Sequence, residues 1–378
     1  MPRVTRTPRK QQQVNSPIPT WPDDTEIIGL ALELQPRQDC SLYAQYTIGL
    51  HAWFLDQVRQ TNPELSAYLH DGESEKPFTI SGLSDTFSSQ GHSPQLQAER
   101  TYRWVVTALS KPVAAWMRGW LQNPPLEIGL RNAPLQIRNW TIVHPAMTYA
   151  QLPQTPVSDS PTLTLSFESP TSFRRKGHHL PLPWPTNVFH SYLRRWNDFS
   201  GEEIDQEEFL NWVDESVVIV RHHLQSMKVV AGKRGSVTGF TGAIEFGLSR
   251  QGLQDQEFVQ LFVALGEYAP YCGTGHKTTF GLGQTRLGWS AVPDTLPLPT
   301  RHDLLAQRIA ELTEQFTAQR KRTGGNRATD IAETWATVLA RRELGESLQD
   351  IAQDLELNYE TTKTYVKLAR RALKDPSR

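Results

Sequence analysis

Two stretches of this 378-residue chain carry the same order of strand- and helix-patterned segments. In the first, Glu26–Leu34 is a short apolar run of the kind that makes a buried strand. Leu42–Arg59 then places Tyr43, Leu50, Phe54 and Val58 at helical spacing, with Ser41 as the expected N-cap. Asn62-Pro63 should end that helix. Pro77–Leu83 and Thr101–Leu109 are β-branched and aromatic, two strands. Lys111–Gln122 reads as a helix with Pro112 in its first turn, and Leu126–Trp140 returns to extended character. In the second stretch, Leu163–Phe167, Val217–Val230, Val237–Leu248 and Leu282–Trp289 read as strands. Asn187–Phe199 and Gln256–Tyr268 read as the helices between them.

That order, β-α-β-β-α-β, is the ferredoxin-like arrangement. The expectation is therefore an α+β chain with two tandem ferredoxin-like (RRM-like) βαββαβ domains, spanning 24–150 and 162–290. The Pro-rich stretch 151–161 reads as the linker. Only the element order repeats; no sequence match between the halves is visible. In such a fold the sheet face or the cleft between two domains is the usual nucleic-acid surface.

After residue 290 the character changes. Val292–Pro299 is a breaker segment, Arg301–Arg320 is amphipathic, and 321–327 (KRTGGNR) reads as a flexible basic turn. Residues 328–375 read as helical throughout, so 300–378 is expected to be a helical extension. Within it, Ser347–Leu355, a short turn at Leu357-Asn358 and Tyr359–Leu373 resemble a helix-turn-helix of the sigma-factor and response-regulator type. Ile351, Ala352 and Leu355 would pack on Val366 and Leu373, with Thr361, Thr362, Lys363 and Tyr365 presented outward. The last helix is cationic, through Lys363, Lys367, Arg370, Arg371 and Lys374. Contact with DNA or RNA, or docking on another protein, are the open readings of this module.

Charge narrows the function class. With 39 Lys+Arg against 40 Asp+Glu, the net charge is −1, which excludes a chain-wide basic polyelectrolyte but not a local basic patch. The acid-free, basic segment 1–20 carries Arg3, Arg6, Arg9 and Lys10, and 1–23 is expected to be a disordered basic tail. That tail has no apolar stretch of the kind a secretory signal needs, and no run is long enough for a membrane span. Cys40 and Cys272 are the two cysteines, too few for a disulfide scaffold, so a reducing, cytoplasmic setting is expected. No Cys/His spacing suggests a metal site.

The most telling segment is Gly273–Gly283, GTGHKTTFGLG, with Gly273, Gly275, Gly281 and Gly283 in eleven positions. Glycine permits positive φ and a close approach of backbone N–H groups to phosphate. The segment follows a helix and precedes a strand, the reverse of a dinucleotide fingerprint, and Lys277-Thr278 follows His276 where a P-loop needs Gly.

Gly-x-Gly, five residues including a base, and Gly-x-Gly again resembles the glycine-rich signature of the CRISPR-associated repeat-processing endoribonucleases, in the repeat-associated mysterious protein (RAMP) superfamily. Residues 237–248 (VTGFTGAIEFGL) and 46–83 resemble two further segments of that family, in the same order. The resemblance spans about 24–290 and leaves the helical extension outside it. It implies metal-independent cleavage of precursor CRISPR RNA within the repeat. The 2′-hydroxyl attacks the adjacent phosphate, giving a 2′,3′-cyclic phosphate and a 5′-hydroxyl. It implies no cofactor. Its partners would be CRISPR repeat RNA and mature crRNA, and effector-complex subunits are a further expectation.

In the family the catalytic histidine commonly lies in or beside the first helix of the first domain, the position of His51. Histidine suits acid–base work because its reference pKa is about 6.5. His70, beside Asp71, is the competing candidate. Tyr46 and Lys76, with Tyr43, are the candidate helpers. For RNA binding the candidates are the loop residues Gly273, Gly275, His276, Lys277, Gly281 and Gly283, together with the basic cluster Arg174, Arg175 and Lys176. Arg194-Arg195 and Arg221-His222-His223 are further basic patches, although a charge run is more often a solvated face. The alternative is a non-catalytic RNA-binding member of the same superfamily, or a nucleic-acid-binding regulator that works through the C-terminal helix-turn-helix.

Overall fold

The computed structural model describes residues 18–43, 45–70, 75–84, 95–175, 178–230, 235–290, 301–318 and 326–374. The first unit contains β1 (Ile27–Pro36), β2 (Cys40–Ser41), α1 (Tyr46–Thr61), α2 (Pro63–His70), β3 (Phe78–Leu83), β4 (Gln95–Leu96), β5 (Tyr102–Ala108), α3 (Lys111–Trp120), β6 (Glu127–Leu130) and β7 (Ala133–Met147). Its antiparallel sheet has the order β3-β5-β1-β7-β6, while β2 pairs with β4 beside it. In β1 alternate residues share a face. Ile28, Leu30, Leu32 and Leu34 enter the first core, together with Leu50, Phe54 and Val58 of α1. Ile27, on the opposite face of β1, joins the second core.

The second unit contains β8 (Leu163–Thr171), β9 (Phe173–Arg175), β10 (His178–Leu180), α4 (Pro185–Phe199), α5 (Gln206–Ser216), β11 (Val217–Val230), β12 (Ser236–Leu248), α6 (Gln256–Cys272) and β13 (Thr285–Leu287). Its main sheet runs β11-β12-β8-β13. Counting only the strands of the repeated plan, both sheets have the order second, third, first, fourth. The two ferredoxin-like units expected from the element order are present.

Four local expectations are corrected. α1 starts at Tyr46 after Gln45, with no side-chain cap, and Ser41 lies in β2 instead. Leu126–Trp140 is not one strand: it turns at Arg131-Asn132, Asn132 taking φ 61°, and β6 adds a fifth strand at the sheet edge. Asn can occupy that left-handed conformation at modest cost, which makes the tight turn feasible. Residues 151–161 do not form a plain linker: Tyr149–Gln154 is a 3-10 turn with Tyr149 and Leu152 buried. The Tyr149 hydroxyl donates to the Leu109 carbonyl at 2.8 Å and lies 2.9 Å from the Tyr268 hydroxyl, tying the two units together. Finally, of the segment 1–23 expected to be disordered, 1–17 lies outside the described residues, but Trp21 is buried in the first core, where its large apolar ring outweighs the polar composition around it.

The C-terminal helices are α7 (Arg301–Ala318), α8 (Asn326–Glu343), α9 (Leu348–Asp354) and α10 (Tyr359–Lys374). They share a third core built on Leu305, Ile309, Leu312, Leu339, Ile351, Leu355 and Val366, which also takes Val230 from β11. Ser347 caps α9 as expected, accepting from the Asp350 N–H at 3.1 Å. The module is docked on the sheets. Arg131 donates to Asp354 at 3.0 Å and to Glu346 at 3.2 Å, and its guanidinium lies 4.3 Å from the centre of the Tyr43 ring. The fully buried Arg341 grips the same two carboxylates, at 2.7 and 2.5 Å. The expected outward face of α10 is rotated. Thr362 is fully buried and Tyr365 packs on Trp335, while Lys363 is exposed as expected. No helix among the described residues is long and apolar enough to cross a membrane.

Candidate functional site

The glycine-rich loop leaves the end of α6 and is held in place by its own unit. Gly273, Gly275, Gly281 and Gly283 all have positive φ, and so does Lys277, at 61°. A Cβ on Gly275 would overlap the Ser172 carbonyl, and one on Gly283 would overlap the Thr274 carbonyl. The close approach that requires glycine is thus to the protein's own backbone. The amides are engaged as well. Gly273 N donates to the Ala269 carbonyl at 2.9 Å, Gly275 N to Ser191 Oγ at 2.8 Å and Gly283 N to the Pro170 carbonyl at 3.2 Å. An open cradle made of these three N–H groups is therefore corrected. Gly281 instead bridges to Ser81 of β3, in the first unit, and a Cβ there would press on the Thr47 methyl of α1.

Arg195 clamps the loop from α4. It is buried, donates Nη2 to the Gly275 carbonyl at 2.7 Å, and pairs with Glu75 at 3.3 Å. Arg194 pairs with the same Glu75 at 2.6 Å. This pair therefore anchors the fold rather than offering a free basic patch, and no feature of the sequence around Arg195 signals it.

His51 lies where α1 meets the loop. Its Nδ1 is 2.9 Å from the Thr279 carbonyl, 228 residues away in sequence. A carbonyl only accepts, so Nδ1 carries the proton and Nε2 is the basic nitrogen of the neutral ring. The imidazole stacks on Phe280, with centroids 4.2 Å apart, and on Phe78 at 5.9 Å. Thr47 and His51, four residues apart, share the helix face turned to the loop. Two segments singled out separately in the sequence thus form one site. Thr279 and Phe280 were not among the expected site residues, although Phe280 is the one aromatic residue in the glycine segment.

The basic residues near the loop are unequal. Burial lowers Lys277 to about 8, Glu333 of α8 opposes that shift, and Arg174 adds to it. His276 is pushed down to about 4 by burial and donates Nδ1 to the Ser172 carbonyl at 2.8 Å, so it is neutral near pH 7. It stacks on His179, which burial and Lys277 also lower. Arg174 is exposed beside this pair; Arg175 is placed by its backbone in β9, and Lys176 lies outside the described residues.

Other candidates fall elsewhere. The Tyr46 hydroxyl accepts from the Leu83 N–H at 3.1 Å, inside the first core. Tyr46 is five residues from His51, about 140° around the helix, and so on a different face. Tyr43 lies under Arg131, and burial raises its hydroxyl to about 12. The Lys76 ammonium is buried without a hydrogen-bond partner among the described residues. His70 is exposed at the end of α2, and Asp71 is outside the described residues. Arg221 pairs with Glu245 at 2.7 Å and covers Trp289. Among the described residues no cluster of His, Cys, Asp or Glu is arranged to hold a metal ion.

Comparison with known proteins identifies the family. The family described as CRISPR-associated endoribonuclease Cas6 matches residues 165–285, and the one described as CRISPR Cas6 N-terminal domain matches 28–139. A CRISPR-associated endoribonuclease Cas6 of Streptococcus thermophilus is 25% identical over 126 residues, 33% of this chain. The match spans 49% of that relative, about half its length. A product complex of a Thermus thermophilus Cas6 is similar at TM-score 0.59 and 24% identity, over 69% of this chain and 100% of the other. A second Cas6 product complex has TM-score 0.54 and 26% identity, over 69% and 99%. The same protein in a substrate-mimic complex has TM-score 0.53 and 26% identity, over 70% and 100%. The two family matches together take in both sheets and more than half of the residues, and the chain belongs to the Cas6 family of CRISPR-associated endoribonucleases.

Proposed function

We propose that the protein cleaves precursor CRISPR RNA within the repeat, without a metal, by attack of a 2′-hydroxyl on the adjacent phosphate. The products are a 2′,3′-cyclic phosphate and a 5′-hydroxyl. The observation that carries this reading is the hydrogen bond from His51 Nδ1 to the Thr279 carbonyl. It orients the ring and puts the exchangeable lone pair on Nε2. A carbonyl accepts equally from imidazole and imidazolium, so the orientation survives a full proton cycle. His51 is the acid–base group, removing the 2′ proton or protonating the leaving 5′ oxygen. Such a group supplies about 10²–10⁴ in rate.

Lys277 and Arg174, with Arg175 and Lys176 of the same basic cluster, hold the RNA phosphates. The glycines 273, 275, 281 and 283 serve RNA binding by shaping the loop that presents Lys277, His276 and Thr279. Tyr46 positions α1 through β3, and Lys76 is a reserve cation for the transition state. The RNA partner is repeat RNA before cleavage and crRNA after it, in the cytoplasm. Docking of the helical extension on effector subunits belongs to the same reading. That relatives were captured as product and substrate-mimic complexes supports RNA processing as the family's business.

The test is incubation of the purified protein with its genomic repeat RNA in EDTA, followed by end-group analysis. A single cut per repeat with a cyclic phosphate is the expected result. Tight binding with no cut would mean a non-catalytic RNA-binding protein.

A further inference from the structure

The face of α10 that points to solvent has no role in the site described above. α10 is sixteen residues long and amphipathic. Thr362, Val366 and Ala369 are buried, whereas Tyr359, Glu360, Lys363, Thr364, Lys367, Arg370 and Arg371 are exposed. Positions 363, 367 and 370–371 are spaced by four and three to four residues, so their cations form one stripe along the helix.

The helix is rigidly mounted. Glu356, in the turn after α9, has φ 53°, the left-handed conformation that redirects the chain sharply. Leu357 N closes the turn on the Ala352 carbonyl at 2.9 Å. Ile351 and Leu355 of the α9 side pack with Val366 in the third core. The acids of the module are distributed unevenly. Glu346 and Asp354 are turned inward, held by Arg341 and Arg131. On α10 and the turn before it, the exposed acids Glu356 and Glu360 sit at the N-terminal end, Glu360 lying 3.7 Å from Lys363. Lys367, Arg370 and Arg371 further along face solvent with no acidic partner on α10 itself.

We propose that the exposed face of α10 binds the major groove of double-stranded DNA. An α-helix with its side chains is about 10–12 Å across, and the B-form major groove is about 12 Å wide. The cationic stripe meets the phosphates that flank the groove, and Tyr359, Glu360 and Thr364 at the leading end meet base edges. A-form RNA is the poorer fit, because its major groove is too deep and narrow for side chains to read. This activity is separate from repeat cleavage in both ligand and surface.

The test uses the full chain and a labelled random-sequence DNA duplex of about 20–30 base pairs, with an RNA duplex of the same sequence as competitor. Anisotropy is followed over a salt series. The wild type should bind the DNA duplex in preference to the RNA duplex. Lys367→Ala with Arg371→Ala removes two phosphate contacts. The slope of log affinity against log salt should therefore flatten by about 2, and affinity in low salt should fall about ten- to a hundredfold. Both residues are exposed and neither belongs to the site around His51 described above, so repeat-RNA cleavage by the double variant should match the wild type. No DNA binding, equal competition by duplex RNA, or a double variant with the wild-type slope overturns the proposal. Loss of cleavage in the wild type would overturn the endoribonuclease reading instead and leave this one standing.

Discussion

In the loop 273–283 the backbone N–H groups turn inward to Ala269, Ser191 and Pro170, whereas in α10 the charged side chains turn outward to solvent. Both segments read as nucleic-acid elements from composition. The difference is one of geometry. A helix has a fixed period, so its apolar positions say which side is buried and which remains free. A glycine-rich loop has no period. Its residues announce backbone freedom, and only the fold says what approaches the backbone. Here the Ser172 and Thr274 carbonyls approach it, and the loop's product is a placed carbonyl, that of Thr279, aimed at His51.

The sharpest way to break this comparison is His51→Ala. If the loop exists to hold His51, the single-turnover rate on repeat RNA should fall about 10²–10⁴-fold, about 3–6 kcal/mol, with RNA affinity nearly unchanged. A wild-type rate would leave the loop without its catalytic purpose. Next in size is Gly275→Val or Gly283→Val. Each forces a β-branched residue into positive φ and against backbone, which should cost about 2–5 kcal/mol of stability, read as a lowered melting temperature. Unchanged melting with weakened RNA binding would restore an open phosphate cradle.

A smaller effect is expected where the helical module meets the first sheet. Arg131→Ala leaves Glu346 and Asp354 to Arg341 alone and should cost about 1–2 kcal/mol in a urea titration. No loss would mean that the module is held by its core alone. The mildest test is pH. On the proposed reading Lys277 binds phosphate as the cation, and in the free protein burial lowers it to about 8, so it loses its proton from about 8 upward. RNA binding must then take up a proton, so affinity should fall as pH rises through 8, by at most about tenfold per unit. Lys277→Arg should flatten that profile, because guanidinium stays charged. An identical decline in the arginine variant would place the titrating group elsewhere.

Much of the fold was legible in local periodicity. Ile28, Leu30, Leu32 and Leu34 alternate, and Leu50, Phe54 and Val58 recur every four residues, because each set must share one face. The Ser347 cap was legible for the same local reason. α5 was missed although its signal was present: Asp205 accepts from the Glu208 N–H at 2.8 Å, a side chain capping the amide three residues on. The turn at Asn132 was missed because a single Asn in an extended stretch is a weak marker.

The site was legible only as parts. His51 and the glycine segment were each visible, the first through its place in a family-like helix and the second through four glycines in eleven positions. Arg195 gave no sign that it would clamp Gly275, and Arg341 none that it would share Asp354 and Glu346 with Arg131.

By itself, then, the sequence determined the doubled β-α-β-β-α-β order, the helical extension and the residue types available for chemistry, since these depend on neighbours within a few turns or strands. Only the tertiary structure decided that Thr279 would meet His51 and that the loop amides would face inward. Such choices depend on how the sheets and helices close on one another. The His51–Thr279 contact joins positions 228 residues apart, and no local pattern encodes a meeting at that distance.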